Sequence, residues 1–135
     1  MRSSIGSLAQ AAAKDLQKAI RMEASDSSGR CQCVTCGVVK DYRYMHAGHF
    51  VAGRTLGVLF EETNIHPQCA RCNIDLGGNV TQYEFYMHYR YGQEEIERLR
   101  KRRREIVNMT RGELVAKRKR YRERIKIQEV RLGKR

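Results

Sequence analysis

Apolar residues open the chain at helical spacing: Ile5, Leu8, Ala12, Leu16 and Ile20 recur about every four positions. Gln10, Lys14, Asp15, Gln17 and Lys18 fill the gaps, so the first 23 residues predict one amphipathic helix. The polar run Ser25-Asp26-Ser27-Ser28-Gly29 breaks it. From Arg30 to Asn79 helical periodicity is scarce. That stretch holds all five cysteines, three of the four histidines and the only proline, as expected of a segment organised by a metal.

Helical patterning returns afterwards. Thr81 with Glu84 reads as a capping box opening a helix through Tyr89 that stops at Gly92. Gln93 to Val107 predicts a second helix, with Ile96, Leu99, Arg103 and Ile106 along one side. Thr110 with Glu113 is another capping box, and its helix runs nearly to Leu132. The apolar positions Leu114, Tyr121, Ile125 and Leu132 form a near-heptad stripe, suited to pack on the body or on a second copy of the chain. His88 reads as a partly buried core histidine among Phe85, Tyr89 and Tyr91, with Tyr83 and Tyr86 in the same packing or, less simply, stacking on bases.

Three segments follow: an N-terminal helix and linker (1–29), a metal-stabilised core (30–95) and a basic helical tail (96–135). Charge divides along that last boundary. Residues up to Glu95 carry 10 Lys+Arg and 10 Asp+Glu, whereas Ile96 to Arg135 carry 17 against 5, which accounts for the net +12. A neutral body with a basic tail calls for a polyanionic partner, nucleic acid ahead of an anionic membrane. The 31% charged residues and the absence of tryptophan argue against one compact globule. No stretch approaches a membrane span, and no secretory signal follows the N-terminus, so a soluble cytoplasmic protein with no membrane partner is expected. Five cysteines in that setting read as metal ligands rather than disulfides.

Cys33-Val-Thr-Cys36-Gly37 and Cys69-Ala-Arg-Cys72 are two C-x2-C knuckles. Each turn aims two thiolates at one point, and together they make a closed tetrahedral site that suits structural Zn2+. Cys31 competes with Cys33, but only Cys33 and Cys36 have knuckle spacing. A set of Cys33, Cys36, His46 and His49 is a weaker arrangement, since it orphans Cys69 and Cys72.

Between the knuckles lie Met45-His46-Ala47-Gly48-His49-Phe50 and Asn64-Ile65-His66-Pro67-Gln68-Cys69, and Asn73 follows the last cysteine. If the second knuckle opens a helix, Asn73 sits beside the zinc, and a strand bearing His46 and His49 crosses it. That is the ββα-metal layout of an HNH nuclease. Its chemistry is phosphodiester hydrolysis: a neutral histidine takes a water's proton and a divalent cation relieves charge on the leaving oxygen. An asparagine can keep the histidine in its useful tautomer. His66, next to Pro67, is read as a structural hydrogen-bonding residue.

The segment Cys33 to about Leu99 resembles the NinG/Rap family of phage recombination proteins. The resemblance rests on C-x2-C-G at Cys33–Gly37, A-G-H-F at Ala47–Phe50, N-I-H-x-Q-C-x2-C-N at Asn64–Asn73, Gly78-Asn79, and Tyr91-Gly92-Gln93-Glu94. It implies an α+β fold, a small zinc-bound HNH (treble-clef) core flanked by an N-terminal helix and long basic C-terminal helices. The implied activity is metal-dependent endonuclease cleavage of branched DNA such as Holliday junctions and D-loops, in the host cell of a phage. Carried over, His49 is the general base, Asn64 its orienting asparagine, and Asn73 a ligand of a catalytic Mg2+ or Mn2+. His46 stands where the family pattern D-A-G-H has its aspartate. A histidine there still binds a divalent ion, shifts its preference from magnesium toward manganese and later metals, and opens the alternative that activity is weakened or lost. Leu76 stands where some members carry a lysine.

Candidate phosphate contacts are Arg54 in the loop after His49, then Arg98, Arg100, Lys101, Arg102, Arg103 and Arg104, and the cluster Lys117, Arg118, Lys119 and Arg120. Cutting two related strands of a junction calls for two active sites, hence a homodimer. Two alternatives stand beside this reading: a non-catalytic zinc module that binds nucleic acid, and an HNH nuclease acting on linear duplex.

Overall fold

Ser4 opens the first helix by accepting the Ser7 backbone N–H on its Oγ at 3.0 Å, and α1 runs Ile5–Glu23 in the computed structural model, which describes residues 3–53 and 55–133. Two antiparallel hairpins follow. In the first, β1 (Arg30–Gln32) pairs with β2 (Val39–Asp41). In the second, β3 (His46–His49) pairs with β4 (Ile65–Gln68), His46 opposite Gln68 and His49 opposite Ile65. Their connection holds a short helix, α2 (Leu56–Leu59), and a 3-10 turn at Glu62–Asn64. After β4 the chain makes one wide π-type turn, Arg71–Asp75. Three helices complete the fold: α3 (Val80–Arg90), α4 (Gln93–Arg103) and α5 (Arg111–Leu132).

The architecture is α+β, mostly helical around two small sheets. The N-terminal helix forms over the range its periodicity predicts. The Thr110–Glu113 capping box is present in both directions, and Gly133 ends α5 in the left-handed conformation at φ 77°. Elsewhere the local signals mislead. Helix α3 starts one residue before Thr81, behind Asn79, with no side-chain cap. Helix α4 stops at Arg103, leaving Ile106 94% exposed rather than on a buried side. The aromatic face is also inverted. Tyr83 and Met87 are buried, while Phe85 and Tyr89 face outward and His88 reaches Glu84 at 3.8 Å.

The near-heptad stripe of α5 is buried within the same chain. Leu114, Tyr121, Ile125 and Leu132 pack with α1, whose Ala9, Ala12, Ala13, Leu16 and Ala19 form the matching face. Alanines bring the two helix backbones close and let α1 also lie on β3 and β4. Charge content argued against one compact globule, but the packing places the terminal helices on the cores of the rest of the chain. Their charges sit on the outer faces while the inner faces share cores with residues 30–95. No helix among the described residues is long and apolar enough to cross a membrane.

Candidate active site

The hairpin β1–β2 carries the first knuckle in its loop. Cys33 N–H donates to the Val38 carbonyl at 2.8 Å, and Gly37, at φ 81°, donates to the Cys33 carbonyl at 2.9 Å. The second knuckle begins at the end of β4, where Asn73 N–H donates to the Cys69 carbonyl at 2.9 Å. The two turns bring Cys33, Cys36, Cys69 and Cys72 together with all four sulfurs within 4.8 Å of one another. Cys36 Sγ stands 3.7 Å from Cys69 Sγ. Tetrahedral zinc with ~2.3 Å bonds separates its sulfurs by about 3.8 Å, so this set could hold a metal such as zinc with little adjustment. Polar groups support the sulfurs: Thr35 Oγ1 lies 3.3 Å from Cys33, Asn79 Nδ2 is 3.5 Å from Cys72, and the Cys72 N–H is 3.5 Å from Cys69. Cys31 is buried outside the cluster, its thiol pushed up to about 11 by burial. Neither Cys31 nor a histidine joins the metal group among the described residues.

Strand β3 presents His49 to a cavity of about 480 Å³. Asn73, Gly53 and Gly78 line it too, and Gln10, Lys14 and Gln17 of α1 form the facing wall. His49 Nε2 is fully buried without a well-formed hydrogen bond, and the ring's interaction partner is the backbone of Leu59. Burial holds the ring below the ordinary imidazole value, partly offset by that backbone contact, so it is neutral at pH 7.

Asn73 is brought to the same cavity, and its Nδ2 lies 3.1 Å from His46 Nδ1. The side-chain hydrogen bonds of Asn64 go to the backbone just after His49. It is wholly buried; its Oδ1 accepts Val51 N–H at 2.7 Å and its Nδ2 donates to the Val51 carbonyl at 3.0 Å. Its main-chain carbonyl accepts Phe50 N–H at 2.9 Å. Asn64 thus staples the two residues after His49 to the end of the 3-10 turn.

Three positioning residues carried weaker sequence signals. His66 anchors a buried chain: Tyr83 Oη donates to the Gly48 carbonyl at 2.7 Å, His66 Nδ1 is 2.9 Å from Tyr83 Oη, and His66 Nε2 is 2.7 Å from Tyr91 Oη. With the Tyr83 proton on Gly48, His66 donates from Nδ1 and accepts from Tyr91 at Nε2. Burial, with Arg90 adding repulsion, lowers His66 to about 4. Gln68, also buried, donates to the Gly78 carbonyl at 2.7 Å and to Thr35 Oγ1 at 3.2 Å, tying both knuckles to β4. A Cβ on Gly48 would stand 2.0 Å from Gln68 Oε1, so only glycine lets the strand lie on that amide.

The basic candidates divide. Arg98 pairs with Glu61 and Glu95, Arg100 with Glu84, Arg102 with Glu61 and Glu105, and Arg118 with Asp15. The acids of the body thus clamp the tail in place. Lys101, Arg103, Arg104, Lys117, Lys119 and Arg120 carry no ion pair among the described residues, although Lys117 lies over the Phe60 ring. Arg54 lies outside the described residues.

Residues 4–130 match the family described as Bacteriophage Lambda NinG protein. The chain belongs to the NinG family. It is 31% identical over 87 residues to the protein ninG of Escherichia phage 933W, covering 64% of this chain and 43% of that one. For the ninG protein of Escherichia phage lambda the figures are 30% over 87 residues, 64% and 42%. For that of Salmonella phage P22 they are 32% over 95 residues, 67% and 46%. The chain spans less than half the length of these curated NinG relatives. No solved structure matches it. The family match takes in the cysteine cluster, both walls of the cavity and the basic helices.

Proposed function

We propose that this member of the NinG family is a metal-dependent endonuclease of the HNH type, cutting DNA at branched recombination intermediates in the cytoplasm of a phage-infected bacterial cell. The observation that carries the reading is the shared cavity of His49 and Asn73, with His46 hydrogen-bonded to Asn73 next to the four-cysteine cluster.

The side chains suit the chemistry. His49 is neutral and lines the cavity, so a ring nitrogen facing it can take a proton from a water placed there. Asn64 and the Tyr83–His66 chain hold the backbone on either side of the ring, fixing where that nitrogen sits. The His46 ring and the Asn73 amide oxygen are the groups that would hold a divalent cation. Such a cation supplies Lewis-acid stabilisation of the leaving oxygen. With an imidazole and an amide in place of a carboxylate, its affinity should depend on the DNA phosphate, and the imidazole favours Mn2+ over Mg2+. A structural Zn2+ on the four cysteines would fix β4 and the turn bearing Asn73. The unpaired cations of α4 and α5 would add affinity without reading bases.

Two symmetric cuts in a four-way junction require two clefts, which favours a homodimer. Its interface would lie elsewhere than the α5 stripe, which α1 covers. The test is incubation of labelled four-way junction, D-loop and linear duplex with zinc-loaded protein and Mn2+. Cleavage concentrated on the branched substrates is expected. Equal cleavage of linear duplex would make it a duplex nuclease, and tight binding with no cleavage would make it a binding module.

A further inference from the structure

Helix α1 supplies the wall of the cleft that faces His49 and Asn73. Gln10, Lys14 and Gln17 fall at helical spacing beside the alanine face, and those small residues let the helix approach β3 and β4. The three longer side chains consequently overhang the cavity. Lys14 is exposed and carries no ion pair among the described residues. The neighbouring acid, Asp15, turns to α5 and pairs with Arg118 at 3.1 Å and Arg122 at 3.3 Å. Among the described residues no carboxylate lines the cavity, and the cation that lines it is Lys14. An ammonium opposite a neutral imidazole, in a cleft free of acids, complements a phosphodiester.

From this arrangement we infer that α1 is the second jaw of the cleft and that Lys14 binds the backbone phosphate engaged there, with the Gln10 and Gln17 amides as flanking donors. The inference rests on the nuclease reading for the identity of that phosphate, but the contact itself is readable by binding alone. Lys18, one turn further on α1, is also exposed and does not line the cavity. It is the matched control.

The experiment measures binding of zinc-loaded full chain to a labelled four-way junction across a salt series, for the wild type, Lys14→Gln, Lys14→Arg and Lys18→Gln. Losing one phosphate contact should lower the slope of log affinity against log salt by about 0.9. Lys14→Gln should show that loss, Lys14→Arg should retain the slope, and Lys18→Gln should match the wild type. In the same samples with Mn2+, Lys14→Gln should lose kcat beyond its loss of binding, with partial recovery in Lys14→Arg. Equal slope changes for Lys14→Gln and Lys18→Gln would reduce Lys14 to general positive charge and overturn the inference, as would no change in either. A wild type that never cuts, with the Lys14-specific slope change present, would remove the nuclease reading and leave Lys14 as a phosphate ligand.

Discussion

Replacing Asn64 by alanine should expose how the loop after His49 is held. The substitution removes two buried hydrogen bonds, from Val51 N–H at 2.7 Å and to the Val51 carbonyl at 3.0 Å, and leaves both peptide groups facing a void. Each unsatisfied group costs about 1–3 kcal/mol, and water entering the space left by the amide recovers part, so the expected loss is about 2–4 kcal/mol. Against a total stability of roughly 5–15 kcal/mol, that is easily read by urea unfolding of the zinc-loaded protein, as a lower midpoint with unchanged slope. Asn64→Asp refines the test. A carboxylate still accepts from Val51 N–H but sets an oxygen against the Val51 carbonyl, and only the protonated acid can donate there. The acid's pKa in the folded state is then raised, so its stabilising contact is complete below the unfolded value and is lost as pH rises through the folded one. Relative to wild type at each pH, Asn64→Asp should be nearly normal in acid and weakest near pH 7. Asn64→Ala should show no such recovery. If the nuclease reading holds, cleavage should fall about 10²-fold in Asn64→Ala through displacement of the base. A loss below about 1 kcal/mol with unaltered cleavage would refute the stapling role.

Three further outcomes are expected. His66 has a folded pKa of about 4 against an ordinary 6.5, so its contribution is complete above pH 6.5 and is lost as pH falls toward 4, up to about 3 kcal/mol. Non-titrating His66→Gln should lack that component when unfolding free energies are compared across pH 4–7. Elemental analysis should find one zinc in wild type and in Cys31→Ser, but a depleted site in Cys69→Ser, with chelation lowering the melting temperature of the first two. His46→Asp should move the ratio of cleavage rates toward Mg2+ over Mn2+, since a carboxylate is the harder ligand; an unchanged ratio would remove His46 from the cation site.

The chemistry-bearing strings were legible because each depends on short spacing. Two C-x2-C turns can aim four thiolates at one point wherever the intervening chain runs, and the fold brings those four sulfurs together. The stripe of α5 was legible as buried, but its cover was not. Leu114, Tyr121, Ile125 and Leu132 meet the alanines of α1 more than a hundred residues away in sequence, at Ala9 and Ala12, and no local pattern announces that pairing. The same packing hid Lys14. As a polar residue on an amphipathic helix it reads as a solvated charge, and only the placement of α1 over β3 brings it to His49. The charge asymmetry was visible, whereas the use of Arg98, Arg102, Arg118 and Arg124 to clamp body carboxylates was not. Asn64 was legible as a candidate beside His49, but its spacing could not announce that its amide bonds to Val51.

The decisive measurement is the single-turnover cleavage rate of a labelled four-way junction in Mn2+ by wild type and His49→Ala, at equal zinc content and matched DNA affinity. The account predicts that wild type cuts with a rate that rises with pH and levels off near neutrality, and that His49→Ala loses at least about 10²-fold while still binding. Equal rates in the two proteins, or no cutting by either, would contradict it.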